Sequence, residues 1–188
     1  MKLIAPAAIA ALGLASIASA DMSTTTYDFT WETTETGELL TDAIALPEVI
    51  SIDSITVDIA HTWSADLVIT LTAPNGDVFD LMNDNGGNTD MGIVAADGSL
   101  ANVAPYTFVE SGAGDVFFGG APLGGGTYNA NAWGAGGYDA GDWLLSVSDT
   151  VGGDGGSIGD VTIMYTIPAP GALALLGLAG LAGRRRRA

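Results

Sequence analysis

The chain has 188 residues, of which 22 are acidic, five are basic, one is histidine and none is cysteine. All acidic residues lie between Asp21 and Asp160, and this span contains no lysine or arginine. Charge of this sign excludes ordinary nucleic-acid binding, which needs a basic face, and disfavours docking on an anionic membrane. The absence of cysteine excludes disulfides, thiolate zinc sites and a cysteine nucleophile, and a single histidine excludes a multi-histidine metal site.

Residues 1–20 have the order of a secretory signal peptide. Lys2 precedes a short, alanine-rich apolar stretch that ends in Ala18, Ser19 and Ala20. This pattern predicts cleavage after Ala20 and export of the remaining chain. The alternative is a short membrane anchor, for which the apolar run is too short and too rich in alanine to be stable.

Residues 21–167 are predicted to form one all-β domain. Short runs alternate between apolar and polar residues and are separated by Gly, Asn and Asp, which is typical of a β-sandwich. The alternating apolar residues are Tyr27, Phe29 and Trp31; Ile55, Val57, Ile59, His61 and Trp63; Leu67, Ile69 and Leu71; Phe79 and Leu81; Trp143, Leu145 and Val147; and Val161, Ile163, Tyr165 and Ile167. The sequence Pro74–Asp77 predicts a hairpin turn, in which Gly76 can adopt a positive φ. The region 83–142 shows few clear strands.

The last 21 residues, 168–188, combine a proline pair, an apolar run and an arginine cluster. Pro168, Ala169 and Pro170 are followed by 13 small apolar residues and then by Arg184–Arg187. Thirteen helical residues would reach about 20 Å, which is short of the ~30 Å hydrocarbon core of a bilayer. This length favours a transient membrane anchor over a permanent one. The arginines would keep this end on the cytoplasmic side.

This C-terminal order resembles the PEP-CTERM sorting signal of exported bacterial proteins, with Ala169 in place of the usual glutamate. The resemblance implies a cell-surface or extracellular protein of a Gram-negative bacterium that is transiently anchored in the inner membrane. It also implies that an exosortase-like enzyme processes the chain near Pro168 to Pro170. A plain C-terminal membrane anchor is the alternative.

Two blocks of the central domain resemble the P domain, or P/Homo B domain, of kexin- and furin-like proprotein convertases. The first block is Val57–Leu81 and the second is Gly141–Thr166, which includes the family's Gly-Asp-x-Gly turn ending at Gly156. The motif positions that we expect to be structural are His61, Asp66, Pro74, Gly76, Trp143 and Asp149. The resemblance implies a jelly-roll β-sandwich of the galactose-binding-like type.

The family resemblance implies an association with serine-type endopeptidases but no activity in this chain. In convertases the Ser-His-Asp chemistry belongs to a separate subtilisin-like domain, and 188 residues leave no room for one. His61 is the only candidate for a general base, and it alternates onto an apolar strand face, which favours a structural role. We therefore expect no catalytic residues and no enzymatic activity.

Calcium is the cofactor that best suits this composition, because Ca²⁺ takes six to eight oxygen ligands and needs no basic residue. Loops 83–90, 139–142 and 149–160 are rich in Asp, Asn and Gly. The candidate metal ligands are Asp84, Asp90, Asp149 and Asp154. P domains often carry structural Ca²⁺, so the resemblance also supports a calcium site. For most of the 22 carboxylates, a solvated face that keeps the protein soluble is the simpler interpretation.

Three functions remain open from the sequence. The first is a non-catalytic surface or extracellular-matrix protein that is stabilised by calcium. The second is a carbohydrate-binding module that stacks extracellular polysaccharide on Tyr128, Trp133 and Tyr138. The third is an accessory domain that docks on a secreted subtilisin-like serine protease, as the P domain does beside its own protease domain.

Overall fold

The computed structural model describes residues 21–27, 31–32, 39–84, 90–94, 100–115, 124–153 and 155–169. Asp21–Pro168 form one compact unit. Over the described ranges, the helical structure is limited to one 3-10 turn at Ser64–Asp66, and no helix there has the length and apolar character needed to cross a bilayer. The predicted all-β sandwich is confirmed by two sheets. The predicted signal peptide and C-terminal apolar helix lie outside the described residues.

The strands form two main sheets and one small pair. The first sheet contains β1 (Asp21–Tyr27), β2 (Trp31–Glu32), β4 (Ser51–His61), β9 (Ala104–Val109), β10 (Gly126–Asn129) and β12 (Gly156–Ile167). Its order is β1-β12-β4-β9-β10, and β2 also pairs with β12. The second sheet contains β3 (Leu39–Leu46), β5 (Leu67–Thr72), β6 (Val78–Asn83) and β11 (Gly141–Asp149), in the order β3-β11-β5-β6. The separate pair is β7 (Ile93–Val94) and β8 (Leu100–Asn102).

The inward faces of both sheets contribute to one hydrophobic core. Successive side chains of a strand point to opposite faces, so a buried face needs an apolar residue at every second position. The predicted alternation is confirmed in four strands, whose buried residues include Ile55, Val57 and Ile59 in β4, Ile69 and Leu71 in β5, Trp143, Leu145 and Val147 in β11, and Val161, Ile163 and Tyr165 in β12. The sequence pattern therefore identified four of the five strands that are paired on both edges, and it missed β9, which lies between β4 and β10.

The predicted hairpin between β5 and β6 is also confirmed. The Ala73 N–H donates to the carbonyl oxygen of Asp77 at 2.8 Å, and the Gly76 N–H donates to the carbonyl oxygen of Ala73 at 2.9 Å. Gly76 has φ +92°, a backbone conformation that favours glycine. The turn thus has the geometry that its sequence indicates.

The edge strands differ from the sequence expectation. β3 was not predicted, because it lies at the edge of its sheet and buries only Ile44 and Leu46 fully. The run at Tyr27, Phe29 and Trp31 was expected to be one strand, but Tyr27 ends β1 and Trp31 begins β2, and residue 29 lies outside the described ranges. β3 has eight residues, but only its last turn of the pleat is buried, so its sequence gives no clear alternation.

A row of five threonines crosses the outer face of the first sheet. The strand registers place Thr26 opposite Thr162, Thr162 opposite Thr56, Thr56 opposite Thr107 and Thr107 opposite Thr127. The hydroxyls of Thr26 and Thr162 are 2.9 Å apart, and those of Thr56 and Thr107 are 2.8 Å apart. Cross-strand hydroxyl pairs of this kind stabilise the sheet modestly. This row carries no charge, although the chain has 22 acidic residues.

Candidate functional site

A buried polar contact joins the two sheets at one end of the sandwich. His61 is the last residue of β4 in the first sheet, and Asp149 is the last residue of β11 in the second. Nε2 of His61 lies 3.4 Å from Oδ2 of Asp149, and each side chain is 1% exposed. Because each residue ends an alternating apolar run, the strand pleat directs both side chains inward. The contact therefore joins the two sequence blocks that resemble the P domain.

Both ring nitrogens of His61 have partners. Nδ1 lies 2.9 Å from the carbonyl oxygen of Trp63 and 3.1 Å from its backbone nitrogen. When Nδ1 is unprotonated, the Trp63 N–H donates to it and the Nε2–H of the ring donates to Asp149. When Nδ1 is protonated, it donates to the Trp63 carbonyl instead. The enclosed ring accommodates both arrangements, but it presents no nitrogen to a substrate, as a general base must.

The start of β12 closes over this histidine. The Thr62 hydroxyl donates to the carbonyl oxygen of Gly155 at 3.2 Å, and the Gly155 N–H lies 3.1 Å from the same hydroxyl oxygen. A Cβ atom at Gly156 would collide with the carbonyl oxygen of Ala60 and with Cδ2 of the His61 ring. Glycine is therefore needed at position 156 so that β12 can lie against the ring. This contact gives the glycine of the second block a physical role.

A second set of polar contacts continues from Asp149. Asp66 is buried at the end of the 3-10 turn, and its carbonyl oxygen accepts the Thr150 N–H at 2.7 Å. The Thr150 hydroxyl lies 3.1 Å from that carbonyl oxygen and 3.1 Å from Oδ1 of Asp84. Asp84 has φ +51°, in the left-handed region that aspartate tolerates better than most residues. Thr150, which the sequence did not single out, thus connects the turns that follow β6 and β11.

The structure brings two of the four predicted calcium ligands to this end of the sandwich. Asp84 contacts Thr150, and Asp149 accepts the Val151 N–H at 3.2 Å in addition to its contact with His61. Asp90 precedes Met91, whose backbone pairs with that of His61, and Asp154 lies outside the described residues. Across the ranges that the structure describes, no three Asp, Glu or His side chains are grouped so that they could hold a metal ion. Both carboxylate oxygens of Asp149 contact internal donors, and its role as a calcium ligand stays a prediction.

The remaining motif residues lie at the other end of the second sheet. Pro74 and Gly76 form the β5–β6 turn, and Trp143 lies near the start of β11. Trp143 is fully buried, with its ring centroid 4.8 Å from that of Tyr138 and 5.8 Å from that of Phe79. Its indole nitrogen has no hydrogen-bond partner among the described residues, so apolar packing alone holds it there. These residues surround an aromatic cluster rather than a polar one.

The three predicted stacking residues have different exposures. Tyr138 is 3% exposed and packs within the aromatic cluster, and burial together with the carboxylate of Asp77 raises its pKa. Tyr128 is partly buried and stacks on Tyr106, with ring centroids 5.9 Å apart. Trp133 is also partly buried. Tyr138 has no open ring face for a sugar, whereas Trp133 and Tyr128 retain partly exposed rings.

Of the predicted processing residues, the structure describes Pro168, which directly follows β12. Ala20 and Pro170 lie outside the described residues.

Residues 52–102 match the family model of the proprotein convertase P-domain. The predicted resemblance is therefore confirmed over a segment that includes His61, Asp66, Pro74 and Gly76. The second block lies outside the matched residues, and its resemblance stays a prediction. No curated protein matches the chain.

Three solved structures show distant likenesses. A serine protease of Aeromonas sobria is 13% identical, with a TM-score of 0.40, over 79% of this chain and 27% of that one. The VP2 subviral particle of infectious bursal disease virus is 15% identical, with a TM-score of 0.26, over 97% of this chain and 55% of that one. The structure of the Gt strain of the same virus is 14% identical, with a TM-score of 0.22, over 89% and 46%. The chain thus spans about a quarter of the protease's length, and similarity at this level carries no argument about function.

Proposed function

We propose that this chain is a non-catalytic, exported surface or extracellular-matrix protein built on a P-domain-like β-sandwich. The observation that carries the proposal is the enclosure of His61. Its ring is 1% exposed, and Nδ1 and Nε2 contact Trp63 and Asp149, respectively. A histidine held in this way joins two sheets and has no access to a peptide substrate. The match to the P-domain model over residues 52–102 supports a module that works beside or without a catalytic domain.

The absence of proteolysis can be tested with the purified chain and its His61→Ala variant. We expect neither protein to hydrolyse fluorogenic peptides above the buffer rate, whereas the variant should unfold at lower temperature. Cleavage by the unaltered chain that disappears in the variant would contradict the proposal, provided that the variant is still folded at the assay temperature.

Export and sorting form the second part of the proposal. The signal-peptide pattern of residues 1–20 and the PEP-CTERM-like order of residues 168–188 support secretion from a Gram-negative cell with transient anchorage in the inner membrane. An exosortase-like enzyme would be the processing partner. Mass spectrometry of the protein recovered from its host should give an N-terminus at Asp21 and a C-terminus near Pro168 to Pro170. An intact arginine tail on the surface-exposed protein would contradict processing.

Calcium binding is the third part, and it rests on the acidic loop around Asp84 and Asp90, because Asp149 is already engaged internally. A ligand that binds only the folded state stabilises it by about 2.7 kcal/mol at a hundredfold excess over Kd. Thermal unfolding in EDTA, Ca²⁺ and Mg²⁺ should therefore show a saturable rise that is selective for Ca²⁺.

The variants Asp84→Asn, Asp90→Asn and Asp154→Asn should reduce this calcium response, and Asp42→Asn on the exposed edge strand β3 is the matched control. An equal rise in Mg²⁺ or NaCl would mean that salt merely screens the acidic surface.

An accessory role on a secreted subtilisin-like serine protease is a second candidate, and the P-domain match favours it. Affinity capture from the culture medium should then recover such a protease, and repeated capture without one would count against the role. Binding of extracellular polysaccharide is a third candidate, which the partly exposed ring of Trp133 favours. A polysaccharide array with the unaltered chain and its Trp133→Ala variant tests it, and equal signals from the two proteins would remove it.

A further inference from the structure

An open cleft of about 460 Å³ lies beside the start of β4. It has three walls, formed by residues 50–53, by Val109, Glu110 and Ala113, and by residues 133–136. The lining side chains that could bind a ligand are the carboxylates of Asp53 and Glu110 and the indole of Trp133. Gly134, Ala135 and Gly136 contribute almost no side-chain volume. The volume of the cleft lies within the range of small-ligand pockets in proteins.

Each carboxylate belongs to a wall that other contacts hold in place. Oδ1 of Asp53 accepts the Ser51 hydroxyl at 3.2 Å, and Oδ2 accepts the Thr166 hydroxyl at 3.0 Å. Glu110 begins a turn whose Gly112 and Gly114 N–H groups both donate to Oδ1 of Asn129 at 2.9 Å. A site with walls fixed in this way loses little conformational freedom when a ligand binds.

The indole of Trp133 is fixed as well. It meets the ring of Phe79 edge-on, with centroids 5.0 Å apart and an interplanar angle of 80°. The preceding Ala132 pairs with Asp80 of β6 through backbone hydrogen bonds of 3.0 Å and 3.1 Å. Trp133 is thus anchored on one side, while part of its surface lines the cleft.

The charge of the chain identifies the ligand class. No lysine or arginine occurs between residues 3 and 183, so the compact unit Asp21–Pro168 supplies no cationic side chain to the carboxylates of the cleft. A flat cation that can stack on an indole and pair with carboxylates is an arginine guanidinium. We propose that this cleft binds the guanidinium of an arginine side chain on a polypeptide. The proposal is independent of the proposed function, because it uses neither the P-domain motifs nor a calcium site.

The test titrates a blocked Gly-Gly-Arg-Gly-Gly peptide into the full chain and follows the indole resonances by NMR. The same peptide with citrulline, which has nearly the shape of arginine without its charge, is the ligand control. A chain with all four tail arginines replaced, R184Q/R185Q/R186Q/R187Q, is titrated in parallel. Tighter binding in that chain identifies the chain's own tail as the source of the guanidinium, and equal binding identifies a separate polypeptide.

We expect selective binding of the arginine peptide that weakens as salt is added. Trp133→Leu should weaken it about two- to fivefold, and Asp53→Asn and Glu110→Gln should each weaken it by up to about fivefold. Glu48→Gln is the control, because Glu48 lines a different cleft, with Pro74 and Asp139. Its affinity should not change.

Three outcomes would overturn the proposal. The first is equal affinity for the citrulline and arginine peptides. The second is a loss in Glu48→Gln that matches the loss in Asp53→Asn, which would mean general attraction to an acidic surface. The third is binding of a neutral oligosaccharide at Trp133 with no binding of the arginine peptide. The Asp53→Asn and Glu110→Gln variants keep hydrogen-bonding side chains on the surface, so each should fold and give a result.

Discussion

Replacing Asp149 with alanine should destabilise the fold far more than replacing it with asparagine. Asp149→Ala removes the acceptor for Nε2–H of His61, whose ring is 1% exposed and cannot turn to water. If the ring changes tautomer, Nδ1 donates to the Trp63 carbonyl, but Nε2 is then a buried acceptor without a donor. One buried, unsatisfied polar atom costs about 1–3 kcal/mol, and the small void adds to this. The expected loss of unfolding free energy is about 2–4 kcal/mol.

Asparagine can satisfy both neighbours of Asp149. Its Oδ1 can accept the Val151 N–H, which now lies 3.2 Å from Oδ1 of the carboxylate. Its side-chain amide can donate to Nε2 of His61 if the ring carries its proton on Nδ1. The structure already accommodates that tautomer, because Nδ1 lies 2.9 Å from the Trp63 carbonyl oxygen. The expected loss for Asp149→Asn is about 1 kcal/mol, because the Trp63 N–H gives up its contact with Nδ1 in this tautomer.

Thermal and denaturant unfolding of the full chain measures the two losses. For a domain of this size, 1 kcal/mol corresponds to about 2–4 °C in Tm, so the two variants should be clearly separated. Asp42→Ala is the control, because Asp42 is an exposed carboxylate of edge strand β3 whose hydrogen bond among the described residues is a local one from the Ala43 N–H, at 2.7 Å. The chain has one histidine, so its ¹⁵N ring shifts report the tautomer without assignment. Equal losses for alanine and asparagine, or an unchanged tautomer in Asp149→Asn, would refute the reasoning.

Two further predictions concern close packing and alkaline pH. Gly156→Ala should destabilise the fold by about 1–3 kcal/mol, because the added methyl group collides with the Ala60 carbonyl and the His61 ring. Gly124→Ala is the control, because a Cβ at Gly124 meets open space, and it should be nearly neutral in unfolding experiments. Equal effects would contradict the collision. Burial raises the pKa of Tyr106 to about 12 although the Gly92 N–H donates to its hydroxyl. Its contribution to stability should be complete below pH ~10 and lost between pH ~10 and ~12, since the unfolded chain releases this proton first. Burial also raises the pKa of Tyr128 and Tyr138, so ultraviolet titration of Tyr106→Phe should show one late-ionising tyrosine fewer than the unaltered chain, and the variant should lack this loss of stability.

Strands β5 and β11 were predictable because the spacing of their apolar residues shows which face is buried. β5 and β11 are paired on both edges and buried on one face, so apolar residues recur at every second position, at Ile69 and Leu71 and at Leu145 and Val147. The same logic fails at β10, which buries no side chain fully and pairs in parallel with β9. A parallel edge strand is defined by its partner, which lies about twenty residues away in sequence and leaves no pattern in β10 itself.

The cleft beside Trp133 could not be read from the sequence for a related reason. Asp53, Glu110 and Trp133 come from the start of one strand, the turn after another and a loop. The sequence indicates Trp133 as an aromatic residue in a glycine-rich region. It does not indicate which two carboxylates lie beside it in the fold. Among 22 acidic residues, nothing local distinguishes Asp53 from Asp42. The two residues differ only in the folded structure, where Asp53 lies in a cleft and Asp42 lies on an exposed edge strand.

The sequence predicts that His61 and Asp149 are both buried, but it does not predict that they contact each other. Positions 55, 57, 59 and 61 share one face of β4, and positions 143, 145, 147 and 149 share one face of β11, so the alternation alone places both polar residues inward. Most buried polar side chains have a hydrogen-bond partner, so the sequence predicts that each of these two residues has one. It does not imply that each is the other's partner, because that depends on how the two sheets face each other. The contact between these two residues therefore depends on the tertiary structure. The unequal effects of alanine and asparagine at position 149 test this contact directly.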